Sequence, residues 1–349
     1  MALGVFMEES TPDSTIHFYN IFEIESESNA VRQIELHDAS SNDVLVFVKK
    51  LANNAKYGQS QRQATFIENS EVKKLLVNAV AEDNQDEIVK IAEHLLECEV
   101  EYNSKKGSFN TIRKGSLLVS NFESNNQNSI LIAKIDIENF FETEQLKLLK
   151  GLPQDKGMYK TCLINISKKT LDTEISLSDT NTTISKFWWH DFLDCDFVRD
   201  AQKNTDLAFS RLSSALTHVN KVSPVDHAFL KGNLTSYFTT ASHFDVDEMI
   251  ERVVGSYEPE NKDVNTIKIK ENLKKTCSSG KFDTNFEIDI TPIKGKLKRT
   301  IKIDEDIELK IKSGDVSKIY HFEHQRTNYV AIKAKSGYAN FRKLDIKND

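Results

Sequence analysis

Two apolar stretches, Gly115–Phe122 and Ser129–Ile137, flank Glu123-Ser124-Asn125-Asn126-Gln127-Asn128, a run without a single apolar residue. Apolar runs of that length read as strands, and an Asn-rich polar run between them reads as the turn that joins them, so a hairpin is expected. Two shorter strands, Lys160–Ile166 and Thr173–Leu177, extend the same sheet, which is expected to end there.

Upstream of the hairpin the periodicity changes. Thr15–Glu25 and Val31–His37 read as strands, whereas Ser41–Ala55 places Val44, Phe47, Val48, Leu51 and Ala55 three and four apart, as on one helical face. The continuous apolar start of that segment leaves a strand open as the alternative. Ser70–Ala81 and Asn84–Tyr102 repeat the helical spacing, the second opening with Asn84-x-x-Glu87, a reciprocal capping pair.

From Asn204 to Ser279 the pattern is helical throughout: Leu207, Phe209, Leu212, Leu216 and Val219 mark one helix. Ser223-Pro224 caps the next, Asp245-x-x-Glu248 begins a third that Gly255 ends, and Val264–Cys277 forms a fourth. From Phe282 to Ile346 apolar and polar residues alternate, with Gly295, Gly314 and Gly337 as turn points. The expected fold is therefore α+β, with an N-terminal helix-and-antiparallel-sheet subdomain over 1–180, a helical middle over 181–281 and a small C-terminal antiparallel sheet over 282–349.

Apolar runs such as Val44–Val48 and Ser129–Ala133 are far shorter than the ~20 residues a spanning helix needs, and Met1–Ser10 lacks a basic leader, so neither a membrane nor export is expected. Cys98, Cys162, Cys195 and Cys277 are scattered without a C-x-x-C pair, which argues against a zinc knuckle, a redox motif or a disulfide framework and fits a reducing cytosol.

The 46 basic and 53 acidic residues leave a net charge of −7, which on its own disfavours a polyanionic partner. Their distribution points the other way. Lys262–Asp349 holds 20 Lys+Arg against 13 Asp+Glu (+7), and the rest 26 against 40 (−14). A basic end on an acidic body is what one polyanion-binding face requires.

Within that end, Thr291–Ile303 carries Lys294, Lys296, Lys298, Arg299 and Lys302 and no acid. As a single strand it would project the four lysines from one face and turn Ile293, Leu297, Ile301 and Ile303 inward, a row able to follow a phosphate backbone. Lys310 and Lys312 extend it in the next strand, and Lys333, Lys335, Arg342 and Lys343 further on; such lysines also serve simply to keep a sheet edge soluble. A second basic group, Lys105, Lys106, Arg113 and Lys114, surrounds Gly107 between a helix and a strand.

Phe187-Trp188-Trp189-His190-Asp191-Phe192-Leu193 holds both tryptophans and reads as packing between subdomains before base stacking. His190 and Asp194 are four apart, but two ligands do not make a metal site. The enzymatic alternative is a Mg²⁺-dependent nuclease of restriction type, because Glu308-Leu309-Lys310 after Asp289 or Asp304 imitates a D…E-x-K arrangement. No Walker loop, G-x-G-x-x-G, G-x-S-x-G or H-E-x-x-H occurs, so nucleotide, hydrolase and zinc-protease chemistry has no motif to stand on.

Three stretches together resemble the bacterial nucleoid-associated protein family: Gly115–Val119 through Ile130–Asp136, Lys186–Leu193, and Ile301–Ile303 through Ile307–Ile311. Their order and spacing fit the family over nearly the whole chain, although the family pattern has Gly where this chain has Asp194. The resemblance implies sequence-tolerant binding of double-stranded DNA, a nucleoid location and no catalysis, but supplies no set of contact residues; no cofactor is expected. A second copy of the chain is a further candidate partner, and a phage-defence or protein-interaction subunit the remaining alternative role.

Overall fold

The computed structural model describes residues 14–35, 41–58, 60–82, 84–106, 112, 114–141, 148–151, 159–168, 170–181, 183–311 and 318–343. It divides into two compact units, Met1–Asp200 with Asp283–Phe286, and Ala201–Phe282 with Glu287–Asp349.

In the first unit the expected hairpin forms as β4 (Gly115–Ser124) and β5 (Gln127–Asp136), but its loop is tighter than the polar run implies. Asn125 and Asn126 alone make the turn, at φ 51° and 59°, the left-handed pair that a two-residue hairpin loop demands and that Asn tolerates. Around this hairpin lie β1 (Ser14–Glu25), β2 (Ala30–Gln33), β3 (Arg62–Phe66), β8 (Tyr159–Ser167), β9 (Thr170–Leu171), β10 (Glu174–Asp179) and β11 (Cys195–Phe197). They form a nine-stranded sheet in the order β11-β3-β10-β8-β5-β4-β1-β2, with β9 beside β8. The sheet thus continues past Leu177: β3 and β11 add two strands beyond the expected edge. A separate hairpin joins β6 (Glu138–Phe141) to β7 (Leu148–Gly151).

Both faces of the sheet are covered. Helix α1 (Ser41–Tyr57) packs Val48, Leu51 and Ala55 against Leu118, Leu131 and Ala133. On the other face α2 (Glu71–Glu82) and α3 (Gln85–Lys106) pack against Leu117, Val119, Ile130 and Ile132. Burial on both sides explains why β4 and β5 read as nearly continuous apolar runs. At the start of α3 the Asp86 N–H donates to Asn84 Oδ1 (3.1 Å), but Glu87 does not reach back: Lys90 and Asn78 donate to its carboxylate instead.

The aromatic run forms a π-helical turn, Phe187–Phe192, inside this unit, with the Leu193 N–H donating to the Trp188 carbonyl. Trp188 is fully buried and its indole N–H donates to the Thr161 carbonyl (3.4 Å); Trp189 is half-buried against Phe197, ring centroids 4.6 Å apart. Phe187, Trp188, Phe192 and Leu193 belong to the core of the first unit, while His190 and Asp191 are exposed.

The returning segment, Asp283–Phe286, completes the sheet margin. The buried Asp283 carboxylate accepts from Arg199 (2.8 Å), from Arg62 (3.4 Å) and from the Gln63 N–H (3.1 Å). Thr284 Oγ1 accepts from the Gln61 N–H and donates to the Gly58 carbonyl.

The second unit is helical as expected: α4 (Ala201–Val222), α5 (Pro224–Thr240), α6 (Val246–Val254) and α7 (Thr266–Cys277), with the short strands β12 (His243–Phe244) and β13 (Phe286–Glu287) marking the turn after α5 and the boundary with the first unit. Ser223, Asp245 and Asn265 each accept an N–H from the first turn of α5, α6 and α7. Phe209, Tyr237, Phe238, Phe244 and Phe282 form a linked aromatic core. Two hairpins complete the unit, β14 (Arg299–Lys302) with β15 (Glu308–Ile311) and β16 (Ile319–His324) with β17 (Thr327–Ile332), so the C-terminal sheet structure is two small antiparallel pairs. Among the described residues no helix is long and apolar enough to cross a membrane.

Candidate nucleic-acid interface

The thirteen-residue basic strand does not form. Thr291–Ile293 is a turn of 3₁₀ helix with Pro292 as its second residue, turns follow through Leu297, and only Arg299–Lys302 is extended. The cause is packing: Ile293 and Leu297, four apart, are both buried, which suits a helical turn and not alternation. Lys294, Lys296 and Lys298 therefore share no strand face with Lys302.

Their environments also differ. Lys296 Nζ donates to Asp206 Oδ1 (2.6 Å) and Ser210 Oγ (2.8 Å) on α4, so its charge is largely answered within the protein. Lys294 is exposed and lends its charge to the lowering of the Asp289 pKa, which arises first from hydrogen bonds with Thr291 and then Gln202. Lys298 is exposed. In the β14–β15 hairpin Thr300 pairs with Lys310 and Lys302 with Glu308, which puts Lys302 and Lys310 on one exposed face with Glu308 opposite Lys302. Ile301, Leu309 and Ile311 take the other face, half-buried. Among the described residues Lys294, Lys298, Lys302 and Lys310 are in no ion pair.

In the first unit, Lys105 pairs with Glu101 (2.5 Å) and Lys114 with Glu25 (3.3 Å). Each has a carboxylate at hand, which weakens that loop as a phosphate site. Arg113 and Lys312 lie outside the described residues, as do the side chains of Lys106 and Arg299.

Further exposed cations lie on α7. On α7, Lys268, Lys274 and Lys275 are exposed beside Glu271, while Ile269, Leu273 and Cys277 are buried. The repeated spacing of four in Ile269, Leu273 and Cys277 carried that signal, and the charge count from Lys262 onward already included these lysines.

Of the residues in the nuclease reading, Asp289 is held by Thr291 and Gln202 and Glu308 faces Lys302 on a hairpin; among the described residues no three acidic, His or Cys side chains are grouped to hold a metal. His190 and Asp194 are likewise separate: His190 Nδ1 contacts Asp191 (2.8 Å), and Asp194 Oδ2 accepts the Glu71 N–H at the head of α2 (3.0 Å). Asp194 adopts φ 51°, the left-handed region that favours glycine, and its carboxylate also accepts an N–H at the start of a helix.

A search of curated proteins finds no match. The family model described as "Nucleoid-associated protein YejK" matches residues 20–331, spanning both units and all three resembling stretches. The chain belongs to this family of nucleoid-associated proteins.

Proposed function

We propose that the protein holds double-stranded DNA without catalysis and with little sequence preference, through phosphate contacts made by the basic residues of its second unit. The observation that carries this reading is the set of exposed, unpaired lysines, Lys294, Lys298, Lys302 and Lys310, at the basic end of an otherwise acidic member of a nucleoid-associated family. Lysines exposed on a turn and a hairpin reach phosphates but have no fixed fork with which to read base edges, so affinity depends on salt far more than on sequence.

The test is a gel-shift titration across salt concentrations on two unrelated duplexes, with and without Mg²⁺. Equal affinities, a steep salt slope and intact DNA are expected. Cleavage that Glu308→Gln abolishes would establish the nuclease instead.

A further inference from the structure

The β16–β17 hairpin sorts its side chains by chemistry. Its register, Tyr320 opposite Ala331, Phe322 opposite Tyr329 and His324 opposite Thr327, puts the three aromatic rings and His324 on one face. Lys318 and Lys333, joined by a 2.8 Å backbone hydrogen bond just beyond the strands, continue that face. Arg326 stands at the tip, at φ 60°. Glu323 is the one acid between Lys318 and Lys333, and it lies on the opposite face with Val330 and Ile332. Phe322 and Tyr329 stack, centroids 5.1 Å apart and planes 11° from parallel, and Tyr320 is 52% exposed beside them.

We propose that this face is a stacking platform for unpaired nucleotides, so that the protein also binds single-stranded DNA. Tyr320 and the Phe322–Tyr329 pair are two residues apart along the strand, about 6.6 Å, and offer successive flat surfaces to bases that a closed duplex keeps stacked on one another. Lys318, Lys333 and Arg326 supply positive charge along the rings, and the hairpin itself puts no carboxylate on their side, the complement of a flexible phosphate chain. The opposite face, with the exposed aliphatic side chains of Val330 and Ile332, carries no Phe, Tyr or Trp ring for a base to stack on. The proposal deepens the DNA-binding reading and rests on it.

The test measures fluorescence anisotropy of the full chain with labelled oligothymidylate and, separately, a mixed-sequence duplex. Tyr320→Leu, which keeps apolar area but removes the flat ring, is expected to weaken oligothymidylate binding about tenfold and leave the duplex unchanged, while Tyr320→Phe leaves both unchanged. Lys318→Gln with Lys333→Gln is the second variant and should lower the oligothymidylate salt slope by about 1.4. Duplex binding without oligothymidylate binding, or unchanged affinity in both variants, overturns the platform alone. A Tyr320→Leu protein that loses mass by light scattering overturns it in favour of a contact between copies. If wild type binds neither probe, the DNA-binding reading itself fails.

Discussion

Lys134 Nζ on β5 stands 2.7 Å from Glu99 Oε1 on α3, with the two side chains 2% and 1% exposed. Burial raises the Glu99 pKa above its ordinary 4.5, against the opposing pull of Lys134. The folded chain then holds this proton to higher pH than the unfolded chain does, so the carboxyl's stabilising share is full below the ordinary range and is lost as pH rises through the folded pKa. Urea midpoints of wild type relative to Glu99→Gln should fall from about pH 4.5 toward neutrality; a flat or rising difference would refute the assignment. Lys134→Met alone, which strands a buried carboxylate, should cost about 3–5 kcal/mol, whereas Glu99→Leu with Lys134→Met should be neutral or stabilising by about 1–4 kcal/mol.

Asp226 in the second unit has the opposite sign. Burial on its own would raise its pKa, but hydrogen bonds from Ser223, Tyr257 and the Glu260 and Asn261 N–H groups outweigh that and hold it below its ordinary 3.8. Its stabilisation is present above that value and is lost as pH falls through the folded pKa. Asp226→Asn should lose about 1–3 kcal/mol at neutral pH and show a shallower loss in acid, read from circular-dichroism melts.

At Asp194, the positive φ and the cap on α2 can be separated by substitution. Asp194→Ala loses the cap and keeps the strain, and should cost about 1–2 kcal/mol; Asp194→Gly relieves the strain and should cost only a few tenths. Equal losses in chemical denaturation would show that the backbone there is not demanding.

Trp188→Ala should cost about 3–5 kcal/mol, because the indole is wholly enclosed and its N–H is satisfied. Trp189→Ala should cost less, its ring being half-exposed beside Phe197. Intact melting temperatures with lost DNA binding would instead give both rings a role in contact.

Among the lysines, Lys296 should matter least for binding, since Asp206 and Ser210 already engage it. Lys302→Gln with Lys310→Gln should flatten the salt slope by about 1.8, and Lys296→Gln by far less. Equal slopes for the two variants would indicate that Asp206 releases Lys296 to the DNA.

The β4–β5 hairpin and helices α2 to α7 were legible because their signals are local: apolar period, cap and turn chemistry. The strands β3 and β11 were not, since Arg62–Phe66 and Cys195–Phe197 are short and mixed, and exist through pairing with each other and with β10, far away in sequence. In Thr291–Ile303 the alternation of the lysines is real, but the Pro292 turn and the Ile293–Leu297 spacing decide the backbone. Charge was readable from the sequence, but which cation already has a partner, as Lys296, Lys105 and Lys114 do, depends on residues brought together only by folding.

The Asp283 clasp has a consequence for biosynthesis. Arg62, Gln63 and Arg199 leave the ribosome well before the acid that joins them, because all of Ala201–Phe282 is translated in between. The sheet margin must therefore wait, with two guanidinium groups unanswered by Asp283, until the helices of the second unit have emerged and had the opportunity to fold. Ribosomes stalled before codon 283 should carry a first unit whose β3 margin is open to protease, and ribosomes stalled far enough beyond codon 286 to release that segment should carry one that is closed.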